Sequence, residues 1–225
     1  MSTPRPRPAV PAYFHPGRDA GTWELLRRRQ VDLVVVNPCS GVGAALDPAY
    51  VDVRAGRRRC TVAGYIDTAY ARRPIVEVVG EAVAYVRRYG VGSVFLDQVT
   101  SGAADLPHYR ELTGRLGSAG VGRVVLNPGT VPDDGYFGIA DVVVTFEDTA
   151  ERYRCWQPGV VPTGPAVTWH LVHGAPVDTH VHTLATAARR GATYAFVTDR
   201  TLPNPWDGLP AGWAGTTDAP GGHDT

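Results

Sequence analysis

Asp97 follows the apolar run Val94-Phe95-Leu96, and Glu147 follows an apolar run over residues 142–146. A carboxylate that ends a buried strand is partly desolvated, which shifts its proton affinity. Two such groups across a cleft can divide the work of glycosidic bond cleavage. One donates a proton to the leaving oxygen, and the other attacks the anomeric carbon or activates water. The same placement recurs along the chain. Apolar runs end in Tyr13-Phe14-His15, Asn37-Pro38, Tyr65 with Asp67, Asp97-Gln98, Asn127-Pro128, Glu147-Asp148, His170 with His173, and Thr198-Asp199. Asn37 and Asn127 each precede proline, so a turn or capping role stands beside a substrate-binding one. Asp148, just before Thr149, reads as a helix cap. Tyr13, Tyr65, Tyr70, Trp169 and Trp206 offer ring faces to a sugar, although Trp169 lies inside a strand and reads as core.

Four of the histidines fall in two close pairs that could hold a metal. His170 and His173 are spaced HxxH, and His180 and His182 are spaced HxH. The second pair falls in a helical pattern, where i and i+2 point apart. The first lacks a nearby third ligand. Neither argues for a metal, and no cofactor is called for. His15 is the better candidate for a substrate hydrogen bond.

Strands are predicted over 10–14, 31–37, 60–66, 92–96, 123–127, 142–146, 168–172 and 194–198. Runs such as Asp-Leu-Val-Val-Val-Asn are apolar on both faces, as in parallel sheets covered by helices. Helices are predicted over 21–30, 75–89, 105–119 and 178–190, the last three each ending next to a glycine. In the clearest, 75–89, Val76, Val79, Val83 and Val86 share one face. Strand–helix alternation repeated about eight times predicts a single (β/α)8 barrel, whose C-terminal rim gathers every strand end. An open doubly wound sheet is the rival, but no GxGxxG follows the first strand. The expected boundaries are a flexible tail over 1–8, a barrel over 9–215 and a flexible tail over 216–225.

Composition narrows the classes. Of 225 residues, 44% are hydrophobic and 20% charged, enough for a sizeable core. Basic and acidic residues balance at 22 each, so no global field draws nucleic acid or an anionic membrane. Every one of those basic residues is arginine, which excludes a Schiff-base lysine and a P-loop lysine. Three cysteines without CxxC spacing fit a reducing compartment. Residues 1–8 carry no apolar stretch of the signal-peptide kind, so a cytoplasmic location is expected. No apolar run is long enough to span a membrane. The Arg, Ala, Gly, Val and Pro bias suggests a GC-rich bacterial genome.

The segments VPAYFHP, VVVNPCSGVG, VAGYIDTAYARRP, VFLDQVTS, VVLNPGTVPDDGYF, VVVTFED and YAFVTDRTLPNPWDGLPAGW resemble, in order, the spherulin-4 family, over about residues 10–213. The resemblance implies a (β/α)8 barrel related to endo-α-1,4-polygalactosaminidases. Some fungal members are secreted hydrolases of galactosaminogalactan. It also implies that the catalytic acids are Asp97 and Glu147. The family commonly has Asp-Glu at the end of strand four, where this chain has Asp97-Gln98.

The expected activity is therefore glycosidase-type hydrolysis of a small-molecule or oligosaccharide substrate. Tyr13, His15, Asn37, Tyr65, Asp67, Gln98, Asn127, His170, Asp199 and Trp206 are the candidate substrate contacts. Gln98 and the expected cytoplasmic location motivate an alternative, an intracellular cyclase or isomerase of polyketide-like metabolite biosynthesis using the same rim. A non-catalytic carbohydrate- or metabolite-binding barrel is the third reading.

Overall fold

The computed structural model describes residues 4–51, 53, 60–159 and 163–213. Eight parallel strands close into a barrel in chain order. They are β1 (Arg7–Ala12), β2 (Leu33–Val36), β3 (Thr61–Asp67), β4 (Ser93–Asp97), β5 (Arg123–Leu126), β6 (Val142–Thr149), β7 (Val167–His173) and β8 (Tyr194–Val197). The (β/α)8-type barrel is as expected. Its outer layer among the described residues holds α1 (Ala20–Arg27), α2 (Ile75–Tyr89), α3 (Leu106–Ser118), α4 (Ala150–Cys155) and α5 (His180–Arg189). Among the described residues the β2–β3 and β5–β6 connections carry 3-10 turns, Pro48–Tyr50 and Asp134–Gly138. The strands are buried on both faces, as in a helix-covered parallel sheet: all four residues of β2 and of β8 are buried.

Two local expectations are corrected. The first strand starts at Arg7, not residue 10, and ends at Ala12. Arg7 and Pro8 pair with Tyr194 and Ala195 and close the barrel, so they belong to no tail. Proline lacks an N–H but keeps its carbonyl, and Pro8 O accepts from Asp32 N at 3.0 Å. The Arg7 guanidinium lies over the Tyr194 ring at 4.7 Å and pairs with Asp32 at 2.7 Å. The predicted tail over 216–225 lies outside the described residues.

The second correction concerns α2. Its bounds are as read, and Gly90 closes it in the left-handed region at φ 63°. The face it buries is Val78, Ala82, Tyr85 and Tyr89, however, while Val76 is 70% exposed. The valine stripe loses because two tyrosine rings bury more area than the γ-methyls facing the other way. Gly64 of β3 makes room for this packing, since a Cβ there would lie 2.6 Å from the Tyr85 ring. The Tyr85 hydroxyl then donates to Tyr65 O at 2.9 Å.

Inside the barrel, Phe95 of β4 meets Trp169 of β7 edge-on at 5.8 Å. This pair fills the centre, and the polar site sits above it at the C-terminal rim.

Candidate active site

Asp97 is the last residue of β4, in register with Asp67 of β3. Its Oδ2 accepts from the Tyr65 hydroxyl at 2.9 Å, and its Oδ1 accepts from Asn127 Nδ2 at 2.7 Å. The same amide nitrogen donates to Glu147 Oε2 at 2.6 Å. Glu147 Oε1 accepts from Trp206 Nε1 at 3.1 Å. One side-chain amide thus bridges the two carboxylates. Those bonds bring the bridged oxygens to roughly 5 Å apart or closer. Asn127 is itself held by Gly129 N, which donates to its Oδ1 at 3.0 Å. That bond fixes which end of the amide faces the acids. The two roles left open for Asn127 coexist: it caps its own turn and reaches into the site.

Glu147 faces the site because β6 carries a bulge. Val144 pairs with Trp169, and both point into the barrel. Phe146 pairs with His170, and both join the outer layer beside α4. Glu147 pairs with Leu171, and both line the cavity. Strand side chains alternate with period two, so Val144 and Glu147 can share a face only if one extra residue intervenes. Thr145 is that residue, at the register shift between Val144 and Phe146. Its hydroxyl is buried without a hydrogen-bond partner.

Trp206 comes from the chain after β8. Its carbonyl accepts from Tyr13 N at 3.0 Å, its own N–H donates to Asn204 Oδ1 at 3.1 Å, and its ring meets Phe196 at 5.9 Å. These contacts hold the indole N–H against Glu147.

The cavity is about 340 Å³, the size of a small-molecule site. Tyr13, Asn37, Tyr65, Asp97, Asn127, Glu147 and Trp206 all line it, together with Phe95, Leu171, His173 and the segment Leu202–Pro205. A larger cavity of about 740 Å³ lies outside the barrel wall, bordered by Arg5, Arg7, Arg28 and Arg29 and by α5. Neither Asp97 nor Glu147 borders it.

Desolvation dominates the electrostatics. Burial pushes the Glu147 carboxyl up to about 7, reinforced by the Asp97 charge and opposed by the Asn127 and Trp206 donors. Burial also raises Asp97. Hydrogen bonds from Tyr65, the Gln98 N–H and Asn127 oppose that rise. The Tyr13 and Tyr65 hydroxyls are pushed well above the ordinary phenol range by burial and then by Asp97, so both stay protonated. The environments separate the carboxyls, with Glu147 the group near neutrality and Asp97 the one surrounded by three donors.

Five candidate contacts lie elsewhere. His15 Nε2 pairs with Asp47 Oδ2 at 2.8 Å, and its Nδ1 accepts from Gly17 N and Arg18 N. It borders a neighbouring depression that shares Tyr13 and Asn37 with the cavity. Asp67 Oδ1 accepts from Ala69 N at 2.6 Å and shapes the β3 turn. Gln98 sits in the left-handed region at φ 52° and contributes its backbone: its N–H donates to the Asp97 carboxylate, and its carbonyl accepts from Tyr70 N at 2.8 Å. Asp199 Oδ1 accepts from Ala211 N at 2.8 Å. His170 faces outward, buried among Phe146, Tyr153 and Trp156, with Nδ1 bonded to the Tyr153 hydroxyl at 2.7 Å. Burial lowers its pKa to about 3, so it stays neutral. The cap read as Asp148 is supplied by Thr149, whose hydroxyl accepts from Arg152 N.

His173 was not selected from the sequence. The signal was period two: Trp169, Leu171 and His173 face inward, and His170 faces out. The HxxH pair therefore straddles the barrel wall. Among the described residues no three His, Cys, Asp or Glu side chains gather as a metal site. No described helix is long and apolar enough to cross a membrane.

The relatives follow this geometry. The sequence model of spherulation-specific family 4 matches residues 9–219. Spherulin-4 of Physarum polycephalum is 28% identical over 151 residues, 64% of this chain and 46% of its own length. The chain thus spans about half of that relative. The crystal structure of Aspergillus clavatus Sph3 in complex with GalNAc superposes with a TM-score of 0.77 at 26% identity, covering 96% of this chain and 97% of that one. A mandelate racemase/muconate lactonizing protein from Herpetosiphon aurantiacus, 11% identical with a TM-score of 0.51 over 85% of this chain and 53% of its own, shares the fold alone. With its family pattern running through nearly all of the barrel, the chain is a member of spherulation-specific family 4.

Proposed function

We propose that this protein is a glycosidase-type hydrolase acting on a sugar-containing substrate, with Glu147 as general acid and Asp97 as nucleophile. One observation carries the reading: both carboxylates meet a single bridging amide, Asn127 Nδ2, at the mouth of one cavity. Glu147, raised to about 7, holds a proton to give at neutral pH. After that transfer, the Trp206 and Asn127 donors stabilise the carboxylate left behind. The Tyr65 hydroxyl, Asn127 and the Gln98 N–H stabilise the Asp97 carboxylate against the burial that raises its pKa, and in its anionic form it can attack the anomeric carbon.

The spacing favours retention. Retaining enzymes hold their carboxyls about 5–5.5 Å apart, and inverting ones about 6.5–9.5 Å to admit a water. Sharing Asn127 Nδ2 brings the nearest oxygens of the two carboxyls within roughly 5 Å, which sits more easily with the first class than with a gap that admits a water. Water then hydrolyses the glycosyl–Asp97 ester, with Glu147 as base. Gln98 is no obstacle, because the acid pair is complete without it. GalNAc in the related Sph3 supports an amino-sugar ligand here.

Incubation with α-1,4-linked oligosaccharides of galactosamine and N-acetylgalactosamine tests this, read by mass spectrometry and by proton NMR of the new reducing end. Shortened products gaining one water, with the α-anomer formed first, support the reading. A product of unchanged mass from a pathway intermediate would favour the cyclase or isomerase instead.

A further inference from the structure

Most polar side chains on the cavity wall are committed to one another. The Tyr65 hydroxyl serves Asp97, Asn127 Nδ2 serves both acids, and Trp206 Nε1 serves Glu147. Asn37 Oδ1 accepts from Gly41 N at 2.8 Å. His173 differs. It ends β7 facing the cavity, is only 8% exposed, and its buried Nδ1 has no hydrogen-bond partner. Its ring stands at 82° to the Trp206 indole with centroids 6.0 Å apart. It therefore sits beside the ring that holds Glu147.

We propose that His173 is a specificity-determining residue of this cavity, hydrogen-bonding a hydroxyl or acetamido group of the bound sugar. The inference rests on the reading of the cavity as a sugar site. Nδ1 is sealed into the wall, whereas Nε2 is neither sealed nor hydrogen-bonded to another described residue, so Nε2 is the ring nitrogen left for a partner that arrives with the ligand. Burial lowers its pKa, so the ring is neutral and offers one donor and one acceptor. With Nδ1 unpartnered, nothing in the wall fixes the tautomer. The ring can thus donate to a carbonyl oxygen or exchange hydrogen bonds with a hydroxyl. His170, three residues earlier, lacks this freedom because Tyr153 holds its Nδ1.

The test measures binding of galactose, galactosamine and N-acetylgalactosamine by calorimetry, on wild type, His173→Phe and His173→Gln. Phenylalanine keeps the ring against Trp206 without the nitrogens; glutamine keeps hydrogen bonding without the ring. We expect wild type to rank the three sugars and His173→Phe to bind its best sugar at least about tenfold more weakly with the ranking compressed. His173→Gln should recover part of the affinity, and melting temperatures should show all three proteins folded. Equal affinities and ranking in wild type and a folded His173→Phe would overturn the inference and leave the sugar reading intact. Absence of sugar binding by wild type would overturn both. If His173→Phe does not fold, His173→Gln decides: an unchanged ranking overturns the proposal, and an altered ranking at full folding supports it.

Discussion

Replacing Glu147 with glutamine should stabilise the fold at high pH and destabilise it at low pH. Burial first, and the Asp97 charge second, lift the Glu147 carboxyl from 4.5 to about 7. A carboxyl whose folded pKa lies above its unfolded one holds its proton more tightly in the folded state. Its contribution is then full below 4.5 and is lost as pH rises through about 7. The shift corresponds to about 3 kcal/mol, since each unit is about 1.4 kcal/mol. Glutamine carries no charge, so it avoids that penalty. Its amide must, however, turn an N–H toward Trp206 Nε1 or Asn127 Nδ2, both donors, at a cost of about 1 kcal/mol. Glu147→Gln should therefore be about 2 kcal/mol more stable than wild type near pH 9 and about 1 kcal/mol less stable near pH 4. Urea unfolding followed by tryptophan fluorescence across that range measures the difference. A difference that stays flat to within about 0.5 kcal/mol would refute the claim that this carboxyl is desolvated. A stabilising loss of function is the usual mark of an active-site group held against its own solvation.

Other outcomes follow from particular contacts. Deleting Thr145 removes the bulge but leaves Val144, Phe146 and Glu147 in plain alternation against Trp169, His170 and Leu171, so Glu147 should still face the cavity; we expect a folded barrel by circular dichroism with turnover retained, and its loss would contradict the reading of Thr145 as the extra residue. Hydrolysis should fall as pH rises past about 7 because Glu147 loses the proton it donates, which a kcat/KM profile reads directly. His170→Phe should leave kcat and KM unchanged and cost about 1–3 kcal/mol in unfolding free energy, because it orphans the Tyr153 hydroxyl. A KM change there would place His170 at the substrate after all.

Much of this was legible in one sequence. Runs apolar on both faces announced a parallel sheet, and their polar endings announced the rim. Asp97 could be placed because nothing interrupts the alternation of β4. Glu147 was selected from the same rule, yet by strict alternation it would face outward, and the bulge that rescues it leaves no mark in residue type. The α2 face was misread because valines line one side and tyrosines the other, and periodicity alone does not rank them. His170 was chosen by proximity to a strand end, where counting parity from Trp169 would have chosen His173. The bond from Trp206 to Glu147 spans 59 residues and depends on barrel closure, so no local pattern encodes it.

Asp97 and Glu147 are proposed to act together on one glycosidic bond. Digesting an amino-sugar oligosaccharide in heavy-oxygen water, with wild type, Asp97→Asn and Glu147→Gln in parallel, tests it most directly. We expect heavy oxygen at the new reducing end with wild type and no cleavage by either folded variant. Wild-type cleavage rates from both variants would contradict it.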